Sequence, residues 1–368
     1  MRSIVAFIKR EAVLIVLLVA LIALQALRPQ SAHALIAMID GETLLTLGGL
    51  LVLTKAIEHT GAMHWAAQRL IHRVHTERGL ALVLVLFAAA ISTVLTNDVA
   101  LFAVIPIAIS IQQLVALSLR RLVIVIAIAV NAGSILTPLG NPQNLFLWHA
   151  SGVSFGGFVV TLAPLTLILI AGLVVLTCAI FHARRLDIPD GVDHVRVDRR
   201  AFAIAAVTFA AFVAIADLHH AAWGCALVLI VFGVSRWRTI LEIDWLLLAV
   251  FALMFIVLRS VANLPLIHDL CAHANLDEPM RAYVAGAITS QVISNVPAAI
   301  MLESFTQRWQ ALAYGVSVGG FGWCIGSLAN LIAMRLAPVK GLFWRFHLLS
   351  LPFFVFAAIA GAYLIHAL

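Results

Sequence analysis

Asn131-Ala132-Gly133-Ser134-Ile135-Leu136-Thr137-Pro138-Leu139-Gly140-Asn141-Pro142-Gln143-Asn144 lies inside an otherwise apolar stretch that runs from 122 to 147. A bilayer core of about 30 Å takes roughly 20 apolar residues as a helix, so the stretch has the length of one span. Its middle carries the signals of one helix stopping and another starting. Gly140 suits the left-handed position after a helix end. Asn141 is a favoured N-cap, and Pro142 then falls at the first helical position, where its missing N–H costs nothing. Two half-helices are therefore expected to meet at mid-membrane, with Thr137, Asn141, Gln143 and Asn144 beside their open ends. Amide ends favour anions and carbonyl ends favour cations, so the break reads as a preorganised polar site.

The surrounding composition fits that setting. Of 368 residues, 63% are hydrophobic and 11% charged, with a mean hydropathy of +1.09. Soluble domains are about half apolar and about 25% charged, which excludes a soluble enzyme. Candidate spans lie near 12–28, 36–57, 122–147, 156–181, 201–218, 221–235, 244–262, 312–335 and 347–367. The net charge of +6 does not point to nucleic acid. The basic residues sit in short loops between apolar runs, the topology signal of a multi-pass inner-membrane protein. Arg2, Lys9 and Arg10 precede the run Ala12 to Leu27, and Ser31-Ala32-His33-Ala34 follows it, which is signal-peptide grammar. The run is long and many spans follow, so a retained first span is expected. Cys178, Cys225, Cys271 and Cys324 have neither metal nor disulfide spacing.

Two further apolar stretches, 80–118 and 281–306, are interrupted at their centres by Thr96-Asn97-Asp98 and by Ser294-Asn295-Val296-Pro297. Arg69, Arg73 and Arg78 precede the first, and Arg120 and Arg121 follow it, so it begins and ends on one side. Its left arm is short for a span and its turn has no loop. A re-entrant hairpin fits, its tip enclosed by protein or a wet cavity. With the N-terminus cytoplasmic, 182–200, 236–238 and 335–345 join the same side, and eighteen of the 23 Lys and Arg then lie inside. The second stretch enters from the opposite side.

The halves also match each other. Ser92, Val94, Thr96, Asn97 and Ala100 align with Ser290, Val292, Ser294, Asn295 and Ala298 at an offset of 198. Gly133, Gly140, Asn144 and Leu145 align with Gly319, Gly326, Asn330 and Leu331 at an offset of 186. Upstream, Glu42 and the run after it align with Asp244 and its run. Gly326-Ser327-Leu328-Ala329-Asn330 is then a second helix break, without proline. The expected fold is an all-α membrane protein of two inverted-topology repeats, each with a re-entrant helical hairpin and a broken transmembrane helix. Its parts are residues 1–181, a cytoplasmic loop and inverting helix at 182–220, and the inverted repeat 221–368. This is a common plan of secondary transporters, with substrate near the midplane.

Asp98 is the outstanding charge. A carboxylate at membrane depth is costly unless it faces a cavity or partner, and such residues are usually functional. It is a candidate to hold a coupling cation, exchange a proton or cap its own arm, and its repeat counterpart is Val296. Glu303 is a second coupling candidate. Lys55 and Glu58 are spaced to pair along one helix, and Lys55 and Arg259 have the reach to snorkel to opposite surfaces. His72 with His75 and His219 with His220 lack carboxylate or cysteine company and read as surface residues. Ser-His-Asp, Walker, dinucleotide, HExxH and Gly-x-Ser-x-Gly patterns are missing, so an intramembrane enzyme is the minor alternative. No cofactor is expected beyond a coupling Na+ or H+.

At Ser92 to Pro106, Asn131 to Asn144, Ser290 to Met301 and Gly319 to Asn330 the chain resembles the ion transporter superfamily. That superfamily includes arsenite permeases, NhaD-type Na+/H+ antiporters and citrate and dicarboxylate carriers, and the likeness is nearest to its compact bacterial branch. The resemblance implies that Thr96, Asn97, Asn141, Gln143, Asn144, Ser294, Asn295, Ser327 and Asn330 line a site for a small inorganic or organic anion. It also implies a homodimer. Dicarboxylate carriers have Ser-Asn-Thr at both tips; Thr-Asn-Asp and Ser-Asn-Val here point instead toward a proton- or cation-coupled carrier, with Na+/H+ antiport as the alternative.

Overall fold

In so apolar a chain every backbone amide and carbonyl must find its partner locally, and helices do this within one segment. The computed structural model describes residues 12–71, 74–114, 117–186, 196–337 and 339–367. Arg2, Lys9, Arg10, His72 and Arg73 lie outside the described residues, and with them the start of the signal-like segment. The first half supplies α1 (Ala12–Leu27), α2 (Ala32–Ala37), α3 (Gly41–His59), α4 (Ala62–Ile71), α5 (Glu77–Val94), α6 (Asn97–Leu114), α7 (Leu119–Ser134), α8 (Pro142–Ser151) and α9 (Phe155–Ile180). Then come α10 (Arg199–Asp217), α11 (Ala221–Leu241), α12 (Trp245–Ala262), α13 (Pro265–His273), α14 (Pro279–Ile293), α15 (Asn295–Leu302), α16 (Trp309–Val318), α17 (Leu328–Leu336) and α18 (Leu342–His366). Six of these, α5, α9, α10, α11, α12 and α18, are long and apolar enough to cross a membrane. The first arm of the 80–118 stretch, read from the sequence as short for a span, is among them, because α5 begins at Glu77 rather than at residue 80.

Acidic and hydroxyl side chains start the helices. Asp40 accepts the Thr43 amide at 2.8 Å and Asp244 the Leu247 amide at 3.0 Å, each filling an orphan donor of the first turn. Asp40 is the N-cap of α3 and Asp244 that of α12, whereas Glu42, aligned with Asp244 in the sequence, lies in the first turn of α3. Glu42 instead accepts the Ala221 amide, joining the start of α3 to that of α11. The span expected at 221–235 continues to Leu241, through a non-helical Arg236. That kink brings the Arg236 guanidinium onto Asp198, the N-cap of α10. The Ala201 amide and Arg236 together hold the Asp198 carboxyl below its ordinary range.

Contacts at the helix ends sort the bundle into two faces. At one, Glu77 donates its amide to the Arg184 carbonyl, Arg78 reaches the Phe181 carbonyl and Arg121 the Ile180 carbonyl. The starts of α5 and α7 thus gather at the end of α9, near which most of the described arginines of the first half collect. At the other face, Arg259 donates to the Met38 carbonyl at 2.7 Å, and Phe158 stacks on Trp309 at 5.6 Å. The segment carrying α14 and α15 closes on itself there, through Thr306 to the Leu276 carbonyl and Arg308 to the Asp277 carbonyl.

Close approach of α5 to α7 and of α14 to α16 depends on two glycines. A β-carbon on Gly133 would stand 2.1 Å from the Ala89 carbonyl oxygen, and one on Gly319 would stand 2.4 Å from Ser290 Cβ. Replacing either by alanine is expected to cost about 1–3 kcal/mol through forced separation of the pair, read as a lower Tm in detergent. Gly156→Ala, where a β-carbon meets nothing within 4 Å, is the control and leaves the Tm unchanged or higher.

Candidate functional site

Each hairpin tip docks on the helix break of its own half. Between α5 and α6 the Asn97 amide donates to the Gly140 carbonyl at 2.9 Å, while Asn97 Oδ1 accepts the Asp98 amide. Between α14 and α15, Asn295 Oδ1 accepts the Val296 amide in the same way, and Ser294 Oγ approaches the Gly326 carbonyl at 3.5 Å. Asn97 thus serves the first turn of α6 itself, and Asp98 is left free of the capping task. Pro297 falls in the first turn of α15, where a missing N–H is harmless. Ser294 has φ 78° and ψ 157°, a backbone region that costs a residue with a β-carbon about 1–3 kcal/mol. Thr96, Asn97, Ser294, Asn295, Val296 and Pro297 are all buried.

The breaks are closed by amides. Asn141 caps α8 by accepting the Asn144 amide at 3.1 Å, with Pro142 at the helix start. Asn144 Nδ2 reaches back to the Ser134, Ile135 and Thr137 carbonyls at 3.2, 2.9 and 3.3 Å. One side chain therefore ties the end of α7 to the start of α8. Thr137 Oγ1 donates to the Thr93 carbonyl, binding the break to the hairpin arm. Gly140 is not left-handed, contrary to the sequence reading. It is required for proximity: a β-carbon there would stand 2.3 Å from the Ser134 carbonyl oxygen. In the second half Ser327 caps α17, and Asn330 Nδ2 donates to the Gly320 carbonyl at 3.0 Å. Gly326 is buried beside the Gly319 carbonyl, where a β-carbon would stand 2.5 Å away.

A bond between halves joins the two breaks: Asn131 Nδ2 donates to Asn330 Oδ1 at 2.8 Å, both residues buried. Applying the 186-residue offset to this pair gives Ser317 and Asn144. Helices α8 and α16, which carry them, pack on each other. No Ser317–Asn144 hydrogen bond forms among the described residues. Ser317 Oγ and Asn144 Oδ1 are both buried without a hydrogen-bond partner among the described residues, as is Gln143 Oε1.

A cavity of about 170 Å³ opens beside the first tip, lined by Thr96, Asp98 and Pro142 and by Thr54, Lys55, Glu58 and Asp244 among others. Lys55 Nζ and Glu58 Oε2 are 3.1 Å apart. The cavity therefore holds three carboxylates and one ammonium. Its contributions from α3 and α12 escaped the sequence reading, because Lys55–Glu58 looks like an ordinary helical pair and Asp244 like an ordinary cap. Both are those things, and also walls of the cavity. Glu303 does not join them. It begins a 3-10 turn after α15, and the charges nearest it are Arg259 and Asp40, at the other face of the bundle. Among the described residues there is no cluster of His, Cys, Asp and Glu able to hold a metal ion.

Membrane-length helices, helix breaks sealed by buried amides and a charged cavity at one break define a membrane transport protein. The chain matches the citrate transporter family, CitMHS, over residues 3–319, and belongs to it. It is 40% identical to the inner membrane protein YbiR of Escherichia coli K12 over 326 residues, which are 88% of this chain and 87% of that protein. An uncharacterized transporter of Methanocaldococcus jannaschii is 26% identical over 82% of each chain. One from Mycobacterium tuberculosis is 24% identical over 84% of this chain and 81% of its own.

Asn131→Ser removes the donor between halves and leaves Asn330 Oδ1 buried and unpaired, at an expected cost of about 1–3 kcal/mol. Ser317→Asn supplies the missing amide opposite Asn144 and is expected to shift the Tm upward. Thermal unfolding of both variants in detergent checks the pair, and equal losses in the two would contradict it.

Proposed function

We propose that the protein is a secondary active transporter, an anion permease coupled to H+ or Na+, that works by alternating access. Its repeats are inverted, residues 80–118 and 281–306 are re-entrant, and the N-terminus is cytoplasmic. Support for that arrangement comes from the helix-end contacts. The α5–α6 hairpin starts beside the end of α9, and the α14–α15 hairpin is anchored at the opposite face. The substrate site on this reading lies between the tips and breaks, at Thr96, Asn97, Asn141, Gln143, Asn144, Ser294, Asn295, Ser327 and Asn330. The substrate class is an arsenite-like oxyanion or a small organic anion, consistent with a family described by citrate transport. The cavity of about 170 Å³ takes only Thr96 of these residues, beside Asp98 and Pro142; it is smaller than the roughly 300–1,000 Å³ of sites for drug-sized ligands and suits the coupling ion at the edge of that site.

The observation that carries the coupling is the charge of that cavity. Asp98, Glu58 and Asp244 outnumber Lys55, so a bare anion entering is repelled. A proton on Asp98, or a Na+ beside it, halves that excess of negative charge and lowers the repulsion. The same excess of carboxylates favours a second reading, Na+/H+ antiport, in which cations alone are exchanged at Asp98.

Proton movement in everted membrane vesicles, challenged in turn with Na+, Li+, arsenite and a panel of small anions, separates these. On the permease reading one anion evokes a proton or Na+ flux, and Asp98→Asn lowers it by at least tenfold and flattens its pH dependence. A response to Na+ or Li+ alone establishes the antiporter. Full activity with unchanged pH dependence in Asp98→Asn overturns the coupling role on either reading.

A further inference from the structure

A second hollow, of about 700 Å³, lies on another flank of α3, between α3, α4, α5 and α10. Ile57 of α3 faces it, whereas Lys55 and Glu58 face the ion cavity. Its lining is apolar, with Met63, Trp65, Phe87, Ile91 and Phe202, except for two arginines, Arg196 and Arg199. Arg199 is the first residue of the membrane-length α10, and the Asp198 amide bonds the Thr60 carbonyl just beyond the end of α3. That places the guanidinium groups at the water boundary of the bundle. Trp65 is 46% exposed and Arg69 stands 5.6 Å over its ring, an aromatic position typical of the same boundary. Phe87 and Ile91 lie deeper. They are about 15 to 20 Å along α5 from its first residue at 1.5 Å per residue.

We infer that this hollow binds one anionic phospholipid, its phosphodiester on Arg196 and Arg199 and an acyl chain along Phe87 and Ile91. A cationic mouth on an apolar cleft between membrane helices matches a lipid of negative headgroup. A soluble anion would gain nothing from the long apolar wall, and a zwitterionic lipid would fill the cleft but leave the mouth uncompensated. Asp198 does not neutralise the mouth, because its carboxylate is held by the Ala201 amide and Arg236. The acyl chain would lie against the first arm of the hairpin whose tip carries Asp98, between that arm and α10.

Native mass spectrometry of the full chain in detergent tests this, with phosphatidylglycerol and phosphatidylcholine of identical chains added in equal amounts. The wild type is expected to retain the phosphatidylglycerol adduct about tenfold more than the phosphatidylcholine adduct. Arg196→Gln/Arg199→Gln abolishes the preference at unchanged Tm, while Arg200→Gln, outside the lining, keeps it. Ala66→Trp, which fills the cleft, lowers both adducts. Equal adducts on the wild type, or an intact preference in the double variant, overturns the proposal. So does a two-chain mass whose formation excludes lipid, which would assign the hollow to a second copy.

Discussion

A helix broken inside an apolar bundle exposes up to four carbonyls at its end and four amides at the next start, with no water to take them. The rest of the site follows from how this chain meets that demand. Asn144 answers three carbonyls with one amide group, and Asn141 answers an amide with its oxygen. The hairpin tip takes another carbonyl, that of Gly140, through the Asn97 amide. The break is therefore stable only as an assembly of hairpin and broken helix. Neither part is complete alone, which is why Gly133 and Gly140 must let the two backbones touch.

The halves solve the same problem with different residues, and the differences fall where chemistry would need them. Asp98 faces a cavity on one side, while its counterpart Val296 is buried. Asn131 reaches Asn330, while Ser317 does not reach Asn144. Ser294 holds a backbone conformation natural to glycine, whereas Thr96 is not among the residues of positive φ. Stored strain and unpaired oxygens are local costs that a purely structural pair of hairpins would not retain. Both breaks are closed by bonds, unpaired oxygens lie in both halves, and the charged cavity lies beside the tip of the first.

Much of this was legible in the sequence, because helix stops and starts are written locally. Asn141-Pro142 announces a cap and a helix start within three or four residues, and Gly326-Ser327-Leu328-Ala329-Asn330 marks the second break without a proline. Gly140 was placed correctly for the wrong reason: proximity of a neighbouring segment and a left-handed φ both select glycine, and a single sequence cannot separate them. The Glu42 contact and the α11 kink at Arg236 escaped the sequence for one reason, since their partners, Ala221 and Asp198, lie in distant segments. The cavity was illegible for the same reason. Lys55, Glu58 and Asp244 each satisfy a local rule, and only the packing of α3 and α12 beside the first hairpin turns three unremarkable residues into its walls.

That wall imposes an order on transport, on the proposed reading. Among the described residues Lys55 is the one ammonium facing the cavity, and it is already paired with Glu58 at 3.1 Å. An anion that takes a free N–H of Lys55 must share the ammonium with Glu58, in a cavity that Asp98 and Asp244 also line. Like charges at such separations in a site of low dielectric cost several kcal/mol. The cost is lowered when a cation or proton arrives first, and it rises again if that cation leaves first. The carboxylates make one half-loaded state, anion without cation, the one the site disfavours, and so place the cation ahead of the anion in the order of loading.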